Sequence, residues 1–328
     1  MVPAIPLSTG LPQRLQCAAA EIVSVQPRAV ARHAKAGFPI MLQRVLEQSL
    51  AVLPKGQRFR VERRLRGWFD QRRLDQADYA VVSFGKSGRT WVRVMLSRLY
   101  QLEFGLGAVD LLEFDNYHRL KAEIPRIFFT HDNYLRDYTG DAGSKRAYVG
   151  QRVVLLVRHP ADVTMSQYFQ WKHRMRPHKI LLNQYPADAS TSPWAFAMGP
   201  SGVSKVVEFM NEWADGFTEV GEGLTVRYED LRADTARELQ RLAGFLDLTP
   251  DAARVSEVVE YASVENMRQR EREAQSESDR LRPGDPSNPD SFKTRRAKVG
   301  GYHDYFDAEG IAAIDDLIRR TLNPVFGY

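Results

Sequence analysis

Four short runs, residues 79–84, 126–130, 152–157 and 224–228, constrain this chain more than any other feature. Each is apolar or β-branched, and each lies near a segment of helical periodicity, notably 91–100, 161–171 and 235–245. Short buried strands alternating with helices predict an α/β fold in which a parallel sheet, flanked by helices on both faces, makes three layers. With 328 residues, 43% of them hydrophobic and 27% charged, the chain can build a sizeable core and is too mixed in charge for disorder.

The strand–helix order begins only at Tyr79. The first 78 residues read as helical, broken at Pro27, Pro39 and Pro54, with Leu42, Leu46, Leu50 and Leu53 at helical spacing. The expected organisation is therefore a helical, basic N-terminal extension over 1–78 and one α/β domain over 79–328. The formal charge of +5 is unevenly placed. Residues 1–78 carry 13 Lys and Arg against 6 Asp and Glu, whereas the remainder carries 33 against 35. Within 58–73, Val61, Leu65, Trp68 and Phe69 share a helix with seven arginines. Docking of that apolar stripe onto the α/β domain is one reading, and attachment to an anionic membrane surface is the other. No nucleic-acid module accompanies the charge, so no nucleic-acid partner is expected. One cysteine, Cys17, excludes an intrachain disulfide framework and a cysteine-based zinc site, and no metal is expected. The start lacks a secretory pattern, and the most apolar run, 153–157, is too short to span a bilayer. These features predict a cytoplasmic protein, peripheral at a membrane only if 58–73 attaches it.

Chemistry concentrates in two segments. Ser83-Phe84-Gly85-Lys86-Ser87-Gly88-Arg89-Thr90-Trp91 lies between a strand and a helix, where successive backbone N–H groups and a helix N-terminus face an anion. Lys86 precedes Gly88, so this is not a Walker A loop, which argues against ATP phosphotransfer. The alternative is a tight turn with a solvated lysine. The second segment, Arg158-His159-Pro160-Ala161-Asp162-Val163, continues to Ser166. Arg158 sits at the end of an apolar strand, where open α/β sheets bind ligands, and Pro160 starts a helix that carries Ser166. A guanidinium and a hydroxyl there suit a phosphate. Pairing of Arg158 with Asp162 is the plainer alternative.

Together these segments resemble the nucleotide signature of the sulfotransferases that use 3′-phosphoadenosine 5′-phosphosulfate (PAPS). Pro125-Arg126-Ile127-Phe128-Phe129-Thr130-His131 is similar to the family's strand ending in a histidine, and Val226-Arg227-Tyr228-Glu229-Asp230-Leu231 to its Tyr-Glu-Asp-Leu segment. Ser263 to Met267 and Arg295-Arg296-Ala297-Lys298-Val299-Gly300-Gly301-Tyr302 resemble two further segments. The resemblance spans about residues 79–325 in unbroken order, and it implies a P-loop-NTPase-like fold.

The resemblance also implies roles. Lys86 would contact the bridging oxygen and 5′-phosphate, which Ser87, Gly88, Arg89 and Thr90 would wrap. Trp91 would stack on adenine and Tyr228 hydrogen-bond it. Arg158, Ser166 and Arg295, with backbone near Arg296 and Ala297, would hold the 3′-phosphate. His131 would be the base for the acceptor hydroxyl or amine. The chain departs from the pattern where Gly85 replaces proline, Arg89 replaces threonine, Val264 replaces a stacking phenylalanine and Ala297 replaces glycine. Phe129 stands where a lysine is kept, a cation that Arg89 would replace. PAPS as donor, PAP as product and a small-molecule, lipid or glycan acceptor are the implied ligands. A non-catalytic nucleotide-binding or regulatory module of the same fold is the competing function, and it leaves a base unused. Candidate acceptor walls are Tyr134, Tyr168, Phe169, Trp171, Trp194 and Phe196. The cluster Lys172, His173, Arg174, Arg176, His178 and Lys179 is either a solvated helix end or a grip for an anionic acceptor. The charged, then Pro/Gly-rich, stretch 271–290 is expected to be a mobile loop.

Overall fold

A computed structural model describes residues 55–107, 109–140, 143–273 and 284–328. The expected breaks at Pro27, Pro39 and Pro54 and the leucine repeat at 42–53 lie outside the described residues. Residues Phe59–Tyr328 form one compact unit.

Within that unit four strands, β1 (Tyr79–Ser83), β2 (Ile127–Thr130), β3 (Arg152–Val157) and β4 (Glu222–Arg227), form a parallel sheet in the order β2-β1-β3-β4. Every pairing is parallel: Tyr79 lies beside Ile127 on one side and Arg152 on the other, and Arg152 beside Glu222. The strands are buried on both faces, yet alternation still sorts their side chains. Ala80, Val82, Val153, Leu155 and Val157 face one core layer, and Tyr79, Val81, Val154 and Leu156 the other. The three-layer α/β architecture is as the sequence predicts.

Helix α1 (Lys55–Leu74) precedes the sheet, and α2 (Arg89–Phe104) follows β1. After β2 comes α3 (Asn133–Thr139), and after β3 come α4 (Pro160–Arg174), α5 (Pro177–Leu182), α6 (Pro193–Met198) and α7 (Val203–Gly216). Beyond β4 lie α8 (Tyr228–Ala233), α9 (Thr235–Phe245), α10 (Ala252–Tyr261), α11 (Val264–Arg272) and α12 (Ala308–Thr321). The chain leaves β1 toward β2 and leaves β3 toward β4. The two central strands therefore diverge at their C-terminal ends and open the crevice in which α/β sheets bind ligands.

Helix α1 docks against the sheet domain. Leu74 is fully buried in the core layer that contains α4 and α7. At Gly67 a Cβ would lie 2.1 Å from the carbonyl oxygen of Tyr134, so only glycine permits the close approach to α3. Two of its arginines turn inward against the expected pattern of arginines around an apolar stripe. Arg63 pairs with Asp137 on α3 and donates to the Leu182 carbonyl at 2.9 Å, and Arg66 pairs with the buried Glu62 at 2.7 Å. No helix among the described residues is long and apolar enough to cross a membrane.

The first residue of the stretch 271–290 departs from expectation. Glu271 has no exposed surface; it accepts from Arg174 at 3.2 Å and from the backbone N–H groups of Lys293 and Thr294. A carboxylate so paired is an anchor and not part of a mobile charged run. Residues 274–283 lie outside the described residues.

Below the end of β2, Asp132 is 6% exposed, and it accepts from Lys145 Nζ at 2.9 Å and from the Tyr148 hydroxyl at 2.9 Å. Lys145 itself is 1% exposed. Removing one partner of such a pair leaves the other charge uncompensated in a low dielectric. Lys145→Met is expected to lower folding stability by about 3–5 kcal/mol. Urea unfolding measures it, and a loss below about 1 kcal/mol would show that water or another group satisfies Asp132.

Candidate active site

The strand termini bring the sequence candidates to one place. A single cavity of about 1310 Å³ is lined by Lys86, Gly88, Arg89, Thr90, Trp91, His131, Arg158, Ser166, Tyr228, Arg295, Arg296 and Ala297. Ser87 does not line it; that residue is 1% exposed within the loop.

The loop after β1 turns through two left-handed residues, Lys86 at φ 74° and Gly88 at φ 96°. Gly88 then starts α2, whose unsatisfied N-terminal N–H groups open at the cavity. A Cβ on Gly88 would come within 2.7 Å of the Tyr228 ring, so glycine is needed for conformation and for space. Trp91 packs edge-on to that ring at 5.8 Å and donates its indole N–H to the Ala262 carbonyl at 2.7 Å. With Val264 and Met267 they make an apolar, aromatic end of the cavity.

Cations crowd the next part. The Arg158 guanidinium lies 4.2 Å over the Tyr228 ring, donates to the Lys298 carbonyl at 2.9 Å and pairs with Asp162 at 3.3 Å. The plainer reading of Arg158 thus holds as geometry, and the residue lines the cavity as well. Its Nε is buried without a partner among the described residues. Arg295 lies 3.9 Å over the Phe169 ring and bonds the Tyr305 hydroxyl. Lys86 reaches Gln170 at 3.4 Å. Desolvation first, then Arg174, Arg158 and Arg295 against the opposing Glu271, push its pKa down to about 7. Ala297, at φ 51°, holds the left-handed conformation that a glycine adopts without strain.

His131 follows β2 and accommodates both ring nitrogens. Nδ1 lies 2.8 Å from the Ser83 carbonyl, which fixes the proton there; Nε2 therefore accepts from Arg89 Nη2 at 2.6 Å. Burial and the Arg89 charge hold the imidazole well below its usual pKa, hence neutral near pH 7. Phe129 is covered by the Arg93 guanidinium at 3.9 Å, so a second cavity-lining arginine stands at the position where lysine is absent.

The proposed acceptor walls fare unequally. Tyr134 lines the cavity. Tyr168, Trp171 and Phe196 are buried and pack on one another, which makes them core. Phe169 packs on Tyr305 and beneath Arg295, and Trp194 is exposed against Phe306. Of the basic cluster, Arg174, Arg176 and Lys179 reach the cavity, whereas His178 pairs with Glu62. Gln167, Gln170, Arg93 and Lys205 also line the cavity, and nothing local in the sequence marks them.

A sheet with cations, a helix N-terminus and a neutral histidine gathered at the C-terminal ends of its strands makes a candidate α/β enzyme site. A sequence model of the family described as the sulfotransferase domain matches residues 76–325. Cytosolic sulfotransferase 17 of Arabidopsis thaliana is 24% identical over 267 residues, covering 74% of this chain and 73% of that protein. Sulfotransferase 2A2 of Rattus norvegicus is 22% identical over 223 residues, covering 60% of this chain and 71% of that protein. The mouse sulfotransferase SULT7A1, solved complexed with PAP, superposes with a TM-score of 0.51 at 17% identity, over 75% of this chain and 84% of that one. The chain belongs to the sulfotransferase family. It is an enzyme of sulfuryl transfer.

Gly88→Ala should cost about 1–3 kcal/mol in urea unfolding, because a left-handed alanine is strained and its methyl meets Tyr228. An unchanged midpoint would mean that the loop relaxes without cost.

Proposed function

We propose that the enzyme moves the sulfuryl group of PAPS to an acceptor hydroxyl by in-line attack, with His131 as base and Lys86 beside the leaving oxygen. One observation carries this reading. In a single cavity, a neutral histidine with its accepting nitrogen turned inward faces a loop of left-handed backbone and a cluster of cations. The mouse neighbour solved with PAP shares the fold.

PAPS fits the residues present. The crowding that depresses Lys86 is relieved by an anion, and the unpartnered Arg158 Nε is a buried donor that a phosphate would satisfy. In this assignment Ser87, Gly88, Arg89 and Thr90 surround the 5′-phosphate, Ser87 through its backbone, and Trp91 and Tyr228 hold adenine. Arg158, Ser166 and Arg295 hold the 3′-phosphate with backbone near Arg296 and Ala297. The acceptor oxygen forms a bond to sulfur as the bridging S–O bond breaks. The acceptor proton passes to His131 Nε2, and the electron pair stays on the departing PAP, where Lys86 offsets the charge.

His131 cannot accept that proton while Arg89 occupies Nε2. Arg89 must therefore leave the imidazole for the anionic donor, which makes it both the cation that replaces the missing lysine at Phe129 and the guard of the base. Arg89→Ala is expected to lower turnover by about 10²-fold, the scale of one lost donor to a developing charge. It should also move the acidic limb of the kcat/KM profile to higher pH, because a cation that depresses His131 is gone. Unchanged turnover with an unmoved limb would refute the role, and His131→Ala that keeps full activity would refute the base.

Lys86 gives a separate test. PAP binds best while Lys86 is protonated, so affinity should fall as pH rises above about 7, by at most about tenfold per pH unit. Calorimetric titration across pH 6.5–9 measures this. The fall should flatten in Lys86→Met, and a slope equal to wild type would place its origin elsewhere.

A further inference from the structure

Beyond His131 the cavity is walled by α1, α3, α5 and α7, and that wall is charged. Arg63 lies on it, paired with Asp137 and donating to Asn183 Oδ1 at 3.2 Å. Arg136 joins it from α3, paired with Glu212 at 2.7 Å. Two of the aromatic rings there, Tyr134 and Tyr185, carry cations, while a third, Phe209 on α7, packs edge-on to Phe84 at 5.6 Å. The guanidiniums of Arg63 and Arg66 lie 5.2 and 5.7 Å over Tyr134, and Lys205 Nζ lies 5.4 Å over Tyr185, whose ring also stacks on Phe196. A flat apolar acceptor would find the Tyr134 and Tyr185 rings occupied and would strip water from the cations there while offering them nothing in return.

Lys205 is the conspicuous member. It is half-buried on the cavity wall, and among the described residues its ammonium has the Tyr185 ring as a contact but no hydrogen bond and no ion pair. Burial together with Arg63 and Arg136 pushes its ammonium down, against a weaker opposing effect from Glu208. An ammonium held in a cleft without an ion pair is suited to form one with a ligand. The neighbouring amides and carboxylates, Asn183 and Glu208 among them, offer the mixed acceptors and donors that several hydroxyls require.

Resting on the sulfuryl-transfer reading above, we propose that the acceptor is a polyhydroxylated molecule bearing its own carboxylate, of the acidic-sugar kind, with that carboxylate held by Lys205. Lys205 then sets acceptor choice and leaves the donor site untouched.

The test is calorimetric binding to the full chain, with and without saturating PAP, of methyl glucuronide, its neutral counterpart methyl glucoside, and a nitrophenol. The acidic sugar should bind at least about tenfold more tightly than the neutral one. That gap should collapse in Lys205→Met and return in Lys205→Arg, while PAP affinity stays at the wild-type value in both. Equal binding of the two sugars overturns the proposal, as does a gap that persists in Lys205→Met, or a nitrophenol that binds more tightly than either sugar. Failure of PAP itself to bind would strike the donor reading, and the sugar comparison without PAP is read independently of it.

Discussion

Two carboxylates taken out of water, Asp162 and Glu271, hold the site together. Asp162 is 3% exposed; it pairs with Arg158 and accepts from the backbone N–H groups of Gly300 and Tyr302 at 2.9 and 3.0 Å. Glu271 does the same for Arg174, Lys293 and Thr294. Between them they pin residues 293–302 against α4 and α11, which carries Arg295 to the cavity though it lies far from the sheet in sequence. A site that must gather several cations before its anion arrives is repulsive by construction. Buried carboxylates bonded also to backbone amides offset that repulsion without occupying every donor, and the leftover donor on Arg158 shows the balance is incomplete.

The same electrostatic arrangement sets the protonation states that the chemistry needs. Cations near a desolvated lysine depress it toward neutrality, and a cation on a desolvated imidazole keeps it unprotonated. In the proposed reaction an arriving anion would reverse the first effect and, by drawing Arg89 away, remove part of the second. On that reading donor and base are linked through one guanidinium. Below them the buried Lys145–Asp132–Tyr148 group fixes the backbone next to His131, where Asp132 sits at φ 61°. The imidazole is held from beneath by the chain at Ser83 and Asp132 and from the side by Arg89.

What was legible in the sequence is what is local. Strand runs, the loop at 83–91 and the Pro160 helix start carry their signals within a few residues, and the strands, the loop and α4 appear where those signals put them. Glu271 was not legible, because its burial is decided by Arg174, 97 residues away. Without that partner, a charged run before Pro and Gly reads as solvated loop. The aromatic walls other than Tyr134 were misplaced for a related reason. Trp171 and Phe196 face each other across an α4–α6 contact, and periodicity cannot say whether an aromatic ring meets a ligand or another ring. Lys205 is invisible in sequence, since its distinction is an ammonium with no ion pair among the described residues.

The basic N-terminal segment also changes meaning. Its excess charge reads as a face for solvent or membrane, yet Arg63 and Arg66 lie inward, over Tyr134, on a helix that Gly67 lets settle against α3. A guanidinium so placed is more weakly hydrated than an ammonium and can lie flat on a ring while still donating sideways, which is why arginine suits a wall that is partly aromatic and partly polar. The helix ahead of the sheet thus belongs to the cavity's construction. Part of the chain's positive charge is turned toward the cavity, and the local character of that wall follows from the segment that composition alone would assign to the surface.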